Sequence, residues 1–392
     1  MSIPVKALIV VPTYWTFEEG KPSPEKVSYD HPTPLNSEGT LTRLLESLTG
    51  LETASFGVLV ITATTDPGLE TAAEERVESI IASFRDRLPI APFAGTELQL
   101  LQKSLARRGF AREALSLQGY GNVRNLQLLV AQILEVPVII GLDDDEVVTD
   151  REFLRKALEF VGGSIEGEFV GGVGGFYLNE AGEKLPPRER ENARGGTSLF
   201  ARKAEIMKAA VEELERKPGR LVETNFVYGG NMVIHQELFR KVPFDPFIPR
   251  GEDIDYVINT RLAGYRFFFD KELSIVHLPP PTRNQLREDV VRFIYEREKL
   301  NAAYEVPGLT PLSPEFLDPY PGAFLRDELE EEALAALREQ GFSAGVVEYA
   351  KRYAREMVPR FFEFWREWPR LLQAVGEGNS LGKKIAQKMG FK

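Results

Sequence analysis

Residues 136–148 read VPVIIGLDDDEVV, an apolar run from Val136 to Leu142 that stops at Asp143, Asp144, Asp145 and Glu146. The β-branched residues and the abrupt polar end predict a strand buried on both faces. Asn125–Leu134 reads as the helix leading into it. Three adjacent carboxylates repel one another, so a strand tip carrying them calls for a compensating cation. In an open α/β sheet, ligands bind outside the carboxyl ends of strands, and the cluster falls at such an end. A solvated turn, with Asp150 capping the next helix, accounts for the same residues without a ligand.

Working outward, Val5–Val11 is β-branched and closed by Pro12, which predicts the strand that opens an α/β domain. Residues 16–40 are rich in Gly, Pro and charge and read as a long loop insertion, a mobile flap beside the first strand. Helices are expected at Leu41–Leu48 and Leu69–Leu88, and strands at Phe56–Ile61, Leu98–Leu101 and Phe169–Tyr177. Strands alternating with helices give a mostly parallel sheet flanked by helices. Residues 186–197 read as a polar, mobile loop. From about Val290 the pattern turns helical, with an acidic amphipathic helix at 326–340 and an aromatic-rich one at 346–374 that Pro369 bends or interrupts. Pro307, Pro311, Pro314, Pro319 and Pro321 punctuate a linker, so the chain divides into a catalytic domain, 1–285, and a helical extension, 286–392.

The 392 residues carry 59 acidic and 48 basic side chains, a net charge of −11, which argues against a nucleic-acid partner because no basic footprint is available. An acidic protein handling a diphosphate needs a bound cation or well-placed arginines. The absence of cysteine excludes disulfides and thiolate chemistry. No segment reaches the ~18 apolar residues of a membrane span, so a cytoplasmic protein is expected.

Four further stretches carry chemistry. YGGNMVI (228–234) and PRGEDIDY (249–256) pair glycines that let backbone approach a ligand with carboxylates at a helix start. Taken alone, PRGEDIDY is better explained as an ordinary acidic first turn with Ile254, Val257 and Ile258 packing inward. His277 ends the run LSIVH; as a core histidine it needs no partner, but with Asp143 and Asp145 it would make a mixed oxygen and nitrogen metal site open to diphosphate oxygens. Arg124 in GNVRN could cancel phosphate charge or sit on a helix surface.

In chain order these features resemble the GT-A glycosyltransferases, especially the large inverting family 2 of nucleotide-sugar enzymes, over about residues 5–285. The resemblance implies a Rossmann-like α/β fold and a metal-dependent transfer of sugar from a UDP- or GDP-sugar donor to a hydroxyl acceptor. It implies Mn²⁺ or Mg²⁺ on Asp145 with His277, and Asp143 and Asp144 on the donor side. Asp253 would be the base of a single displacement and Glu252 would hold the acceptor. Pro12, Thr13, Tyr14, Thr62 and Arg124 would face the donor, and Gly229, Gly230 and Asn231 would line the sugar pocket. ITATTD (61–66) departs from the pattern, with Thr62 and Thr64 where an acidic residue is common, which leaves the nucleobase open.

A metal-dependent phosphoesterase, a nucleotidyltransferase and a non-catalytic carbohydrate-binding protein on a transferase fold are the competing classes. No G-x-G-x-x-G follows a strand, which disfavours a dinucleotide-dependent oxidoreductase. From Lys351 to Lys392 ten basic residues face four acidic ones, and FFEFWREW (361–368) lies among them. That region is expected to dock on the catalytic domain or pack a homodimer, in preference to anchoring on a membrane surface.

Overall fold

The computed structural model describes residues 6–20, 26–27, 29–51, 56–110, 115–184, 198–281, 284–376 and 380–390. The polar loop expected at 186–197 lies outside the described residues. Its central element is a sheet built first from β1 (Ala7–Thr16), β2 (Thr33–Pro34), β3 (Phe56–Thr64), β4 (Ile90–Phe93) and β5 (Val138–Gly141). Later strands are β6 (Glu146–Val147), β9 (Gly172–Leu178), β10 (Leu221–Glu223), β11 (Met232–His235) and β12 (Phe268–His277); the short hairpin β7 (Ser164–Ile165) and β8 (Glu168–Phe169) stands apart. The order is β10-β12-β9-β11-β5-β1-β3-β4, with β2 beside β1 and β6 beside β12. Strands β5, β1, β3 and β4 run parallel, β11 runs against both β5 and β9, and β10 against β12. This is the expected α/β class with a mostly parallel sheet.

The parallel strands are apolar throughout because helices cover them. Those helices include α1 (Leu41–Leu48), α2 (Glu70–Ala82), α3 (Gly95–Ala106), α4 (Tyr120–Ile133) and α5 (Phe153–Glu159). Then come α6 (Lys203–Arg216), α7 (Gln236–Phe239), α8 (Glu252–Leu262) and α9 (Leu286–Ala303). The chain closes with α10 (Leu329–Glu339), α11 (Gly345–Gly376) and α12 (Ser380–Lys388), the helical C-terminal region. One apolar cluster runs from Ala7 to Met389 through all of them.

Two expectations are corrected. Leu98–Leu101 is not a strand but the middle of α3, and the strand is IAPF at 90–93. Pro92 is tolerated there because β4 is the sheet's edge, where one missing donor breaks no central ladder. Of the two effects expected of Pro369, a bend or an interruption, the second does not occur: α11 continues through both Pro359 and Pro369. Its buried stripe, with Phe361, Trp365, Trp368 and Leu372, packs against α9, α4 and α3, and that packing outweighs the lost helical hydrogen bonds. Trp365 Nε1 donates to Lys241 O at 2.8 Å and Trp368 Nε1 to Phe239 O at 2.7 Å. The aromatic run therefore docks on its own chain, and Lys351 meets Glu330 of the acidic helix at 2.9 Å. No helix among the described residues is long and apolar enough to cross a membrane.

Candidate functional site

A cleft of ≈ 380 Å³ opens at the carboxyl ends of β1 and β5. Topology gathers its walls. Because β11 is antiparallel to β5, with Met232 opposite Gly141, the Gly229–Asn231 turn lies beside the LDDD tip. Because β6 pairs with β12, His277 stands opposite Glu146, and Leu278 N donates to Asp145 O at 3.0 Å. Arg43 of α1 fastens the same corner, with one guanidinium nitrogen reaching Asp145 O at 3.2 Å and Leu278 O at 3.0 Å. Gly251 takes a left-handed φ of 69° before α8, and a Cβ there would collide with the Arg292 guanidinium. That turn sets Glu252 and Asp253 in the first turn of α8, where the helix dipole favours anions.

Of the residues anticipated from sequence, Tyr14, Arg124, Asp143, Asp144, Asp145, Gly229, Glu252, Asp253 and His277 line this cleft. Arg124, nearly buried, ties two of the motifs together: Nη2 donates to Asp143 Oδ1 at 2.8 Å and Nε to Glu252 Oε1 at 3.2 Å. Thr13 sits just behind, its hydroxyl 2.6 Å from Asp144 Oδ2. Pro12, Thr62, Gly230 and Asn231 do not line the cleft. Thr62 pairs with Thr13 across β1 and β3, Gly230 N donates to Tyr177 OH at 2.7 Å, and buried Asn231 donates to Phe176 O at 3.2 Å. These three brace the sheet behind the cleft. Gly230 must lack a side chain because Glu146 occupies the space a Cβ would take.

Burial and neighbours push Asp144, Asp145 and Glu146 in different directions. Burial, reinforced by Asp145, pushes Asp144 up to about 7, and burial raises Glu146 as well. Asp145 is buried too, yet hydrogen bonds from His277 and His31 outweigh that and hold it below the ordinary carboxylate range. His277 Nε2 lies 3.3 Å and His31 Nε2 2.9 Å from Asp145 Oδ2, while Oδ1 is buried without a partner. Among the described residues, no group of three or more His, Asp or Glu side chains forms a ready-made metal cage. An ionised carboxylate with an orphaned oxygen beside imidazole nitrogens is nevertheless a donor set that suits Mn²⁺ or a similar ion, with positions left for oxygen ligands.

Sequence reasoning did not find several cleft residues. His31 and Asp30 come from the 16–40 insertion, whose described part is pinned: Tyr29 is buried and packs at 4.4 Å from the Tyr14 ring and 4.9 Å from the Tyr120 ring. Lys203 of α6 and Arg250 both pair with Asp289 of α9, and Arg292 of the same helix reaches Tyr320 OH at 3.0 Å. The one signal in the sequence was that α9, LREDVVRFIYEREKL, carries charges on every face, which a helix lying on a core tolerates only when those charges are paired.

No family model and no curated protein matches the chain. Among solved structures it is similar to a mannosyltransferase from Pyrobaculum calidifontis in complex with GDP-Man and Mn²⁺, at 13% identity and TM-score 0.46, over 98% of this chain and 88% of that one. It is also similar to residues 1–349 of TarS from S. aureus, at 17% identity and TM-score 0.42, over 98% and 92%. A third is glucosyl-3-phosphoglycerate synthase from Mycobacterium tuberculosis with Mn²⁺, UDP and phosphoglyceric acid, at 18% identity and TM-score 0.35, over 71% and 72%. These are likenesses of chain path at low TM-score, and the chemistry is read from the residues of the cleft itself.

Proposed function

We propose that this protein is a metal-dependent glycosyltransferase that moves a sugar from a UDP- or GDP-sugar to a hydroxyl acceptor. The observation that carries the reading is the convergence of five sequence-distant segments on one cleft: Tyr14, Arg124, Asp143–Asp145, Glu252–Asp253 and His277. A phosphoesterase or nucleotidyltransferase would use the carboxylates but has no evident need for a second, separate carboxylate pair at the start of α8.

In this reading Asp145 and His277 hold a divalent cation, with Asp143 beside it on the donor side. The cation would supply charge neutralisation for the departing nucleoside diphosphate. Arg124 fixes Asp143 and Glu252 in one frame, so donor and acceptor ends keep a set spacing. Asp253 is more exposed than Glu252, and its Oδ1 accepts only from the adjacent Ile254 N among the hydrogen bonds of the site, at 2.8 Å. It is thereby available to take the proton of an acceptor hydroxyl as that hydroxyl attacks the anomeric carbon, with inversion. Glu252, whose carboxyl burial pushes up to about 7, would hold the acceptor.

A thermal-shift panel of UDP-, GDP- and ADP-sugars with and without Mn²⁺ tests the proposal. A metal-dependent shift with UDP- or GDP-sugars is expected, reaching about 2.7 kcal/mol of stabilisation at a hundredfold excess over Kd. No shift with any nucleotide sugar rules it out.

A further inference from the structure

Asp289, Arg292, Glu296 and Lys299 of α9 follow one another at spacings of three, four and three residues, which puts them on one face of the helix. All four are buried. A buried charge gives up its hydration, and an apolar stripe would pack a helix here without that cost. What charges supply and apolar side chains do not is direction, because each fixes its partner at a set distance and angle. The partners of this stripe surround the start of α8. Asp289 takes the Arg250 guanidinium, and Lys203 Nζ of α6 lies 2.8 Å from the same Asp289 oxygen. Arg292 lies against Gly251, where a Cβ would overlap its Nη1, Cζ and Nε. Lys299 pairs with Asp255, in the first turn of α8, and lies 3.3 Å from Asp245 Oδ2. Residues 250, 251 and 255 are each met by α9, and Glu252 and Asp253 fall between them.

Arg292 is the centre of this grip. Its Nε donates to Glu296 Oε1 at 3.0 Å and its Nη1 to Tyr320 OH at 3.0 Å, so the guanidinium plane is fixed from two sides. Burial disfavours its charge, but Glu296, Tyr320, Asp253 and Asp289 together hold its pKa above the ordinary guanidinium value. On the other side the Asp253 carboxylate has little room, since a Cβ on Gly229 would stand 3.2 Å from Asp253 Oδ2. Asp253 is therefore confined between the Gly229 turn and a helix start that Arg292 backs.

We propose that Arg292 is a positioning residue: by backing the Gly251 turn it holds the start of α8 so that Asp253 faces the acceptor hydroxyl. The proposal rests on the transferase reading above, with Asp253 as base, and adds α9 to the machinery of that reaction. The boundary expected near residue 285 then runs through the functional unit and does not mark its edge.

The test follows Mn²⁺-dependent release of UDP from UDP-glucose and of GDP from GDP-mannose, with glycerol as the hydroxyl acceptor. Arg292→Met is expected to lower kcat about 100-fold, the scale of a 1 Å misplacement, with donor KM little changed. In an Asp253→Asn background the same substitution should cost almost nothing further, because a residue that acts through Asp253 has nothing left to position. A merely structural arginine gives the same fold loss in both backgrounds. Hydrogen exchange in the peptide covering 249–257 should quicken in Arg292→Met while β1 and β5 keep their protection. If Arg292→Met folds poorly, Tyr320→Phe removes one of the two guanidinium bonds and keeps the ring; a smaller kcat loss is expected, again absent with Asp253→Asn. Unchanged kcat, a loss carried by donor KM, equal losses in the two backgrounds or unchanged exchange at 249–257 overturns the proposal. Nucleotide binding separates the two claims. Metal-linked UDP or GDP binding and turnover that ignore Arg292 defeat only this inference. No metal-linked nucleotide binding, with exchange at 249–257 still governed by Arg292, defeats the transferase reading alone.

Discussion

Arg124 Nε lies 3.2 Å from Glu252 Oε1, which makes an arginine of α4 the neighbour of the first residue of α8. Burial still dominates at Glu252, lifting its carboxyl from 4.5 to about 7; Arg124 pulls it down and Asp253 adds to the rise. A native pKa above the unfolded one means the folded state binds more protons between those values. The stability this group contributes is therefore fully present below about pH 4.5 and lost as pH rises through about 7. Its share of the fall is at most about 1.4 kcal/mol per pH unit. Urea unfolding between pH 5 and 7 should show a flatter slope for Glu252→Gln than for the parent. Identical slopes would show that Glu252 does not titrate in this window.

Asp145→Ala is expected to abolish the Mn²⁺-dependent thermal shift with nucleotide sugars while the protein still folds. The substitution removes a buried charge that repels Asp144 and Asp143, which limits the structural cost. A shift equal to the parent's would remove Asp145 from the metal site.

Asp253→Asn keeps the shape and the hydrogen bond to Ile254 N but cannot take a proton. We expect kcat to fall by about 100-fold or more, the scale of general base catalysis, with donor Kd little changed. A loss confined to affinity would contradict the role of base. Proton NMR of the first product gives an independent check, since retained configuration excludes a single displacement.

Trp368→Ala should destabilise the fold by about 3–5 kcal/mol, the usual cost of emptying a buried aromatic site. The indole is fully buried and its loss also strands Phe239 O. Well below the variant's melting temperature, nucleotide affinity should match the parent's. A change below 1 kcal/mol in urea unfolding would mean that α11 is not held by this contact.

Much of the candidate cleft was legible because its polar residues are concentrated at strand ends and glycine turns. LDDD, GED and His277 stand out from apolar runs, and the topology brings them together as a sheet of this order must. What was not legible came from residues whose partners are remote. His31 lies in a stretch with no periodicity, and its meaning depends on Asp145, 114 positions away. Lys299 is fully buried between Asp245 and Asp255, a polar cluster beneath α8 that looks in sequence like an exposed helical charge. IAPF failed as a strand signal because Pro92 argues against a strand everywhere except an edge. ELQLL was ambiguous for the opposite reason: its leucines suit a short strand as well as a helix, and only the longer run Gly95–Ala106 decides.

The long helix α11 bears on how the chain comes off the ribosome. Every residue placed in the cleft precedes it, yet α4 and α9, which carry Arg124 and Arg292, are covered from behind only when Gly345–Gly376 arrives. A nascent chain that has just exposed its cleft residues still shows a broad apolar back, with the Phe239 and Lys241 carbonyls waiting for indoles yet to be synthesised. Translation that stalls before Gly345 thus leaves a species suited to chaperones or to aggregation.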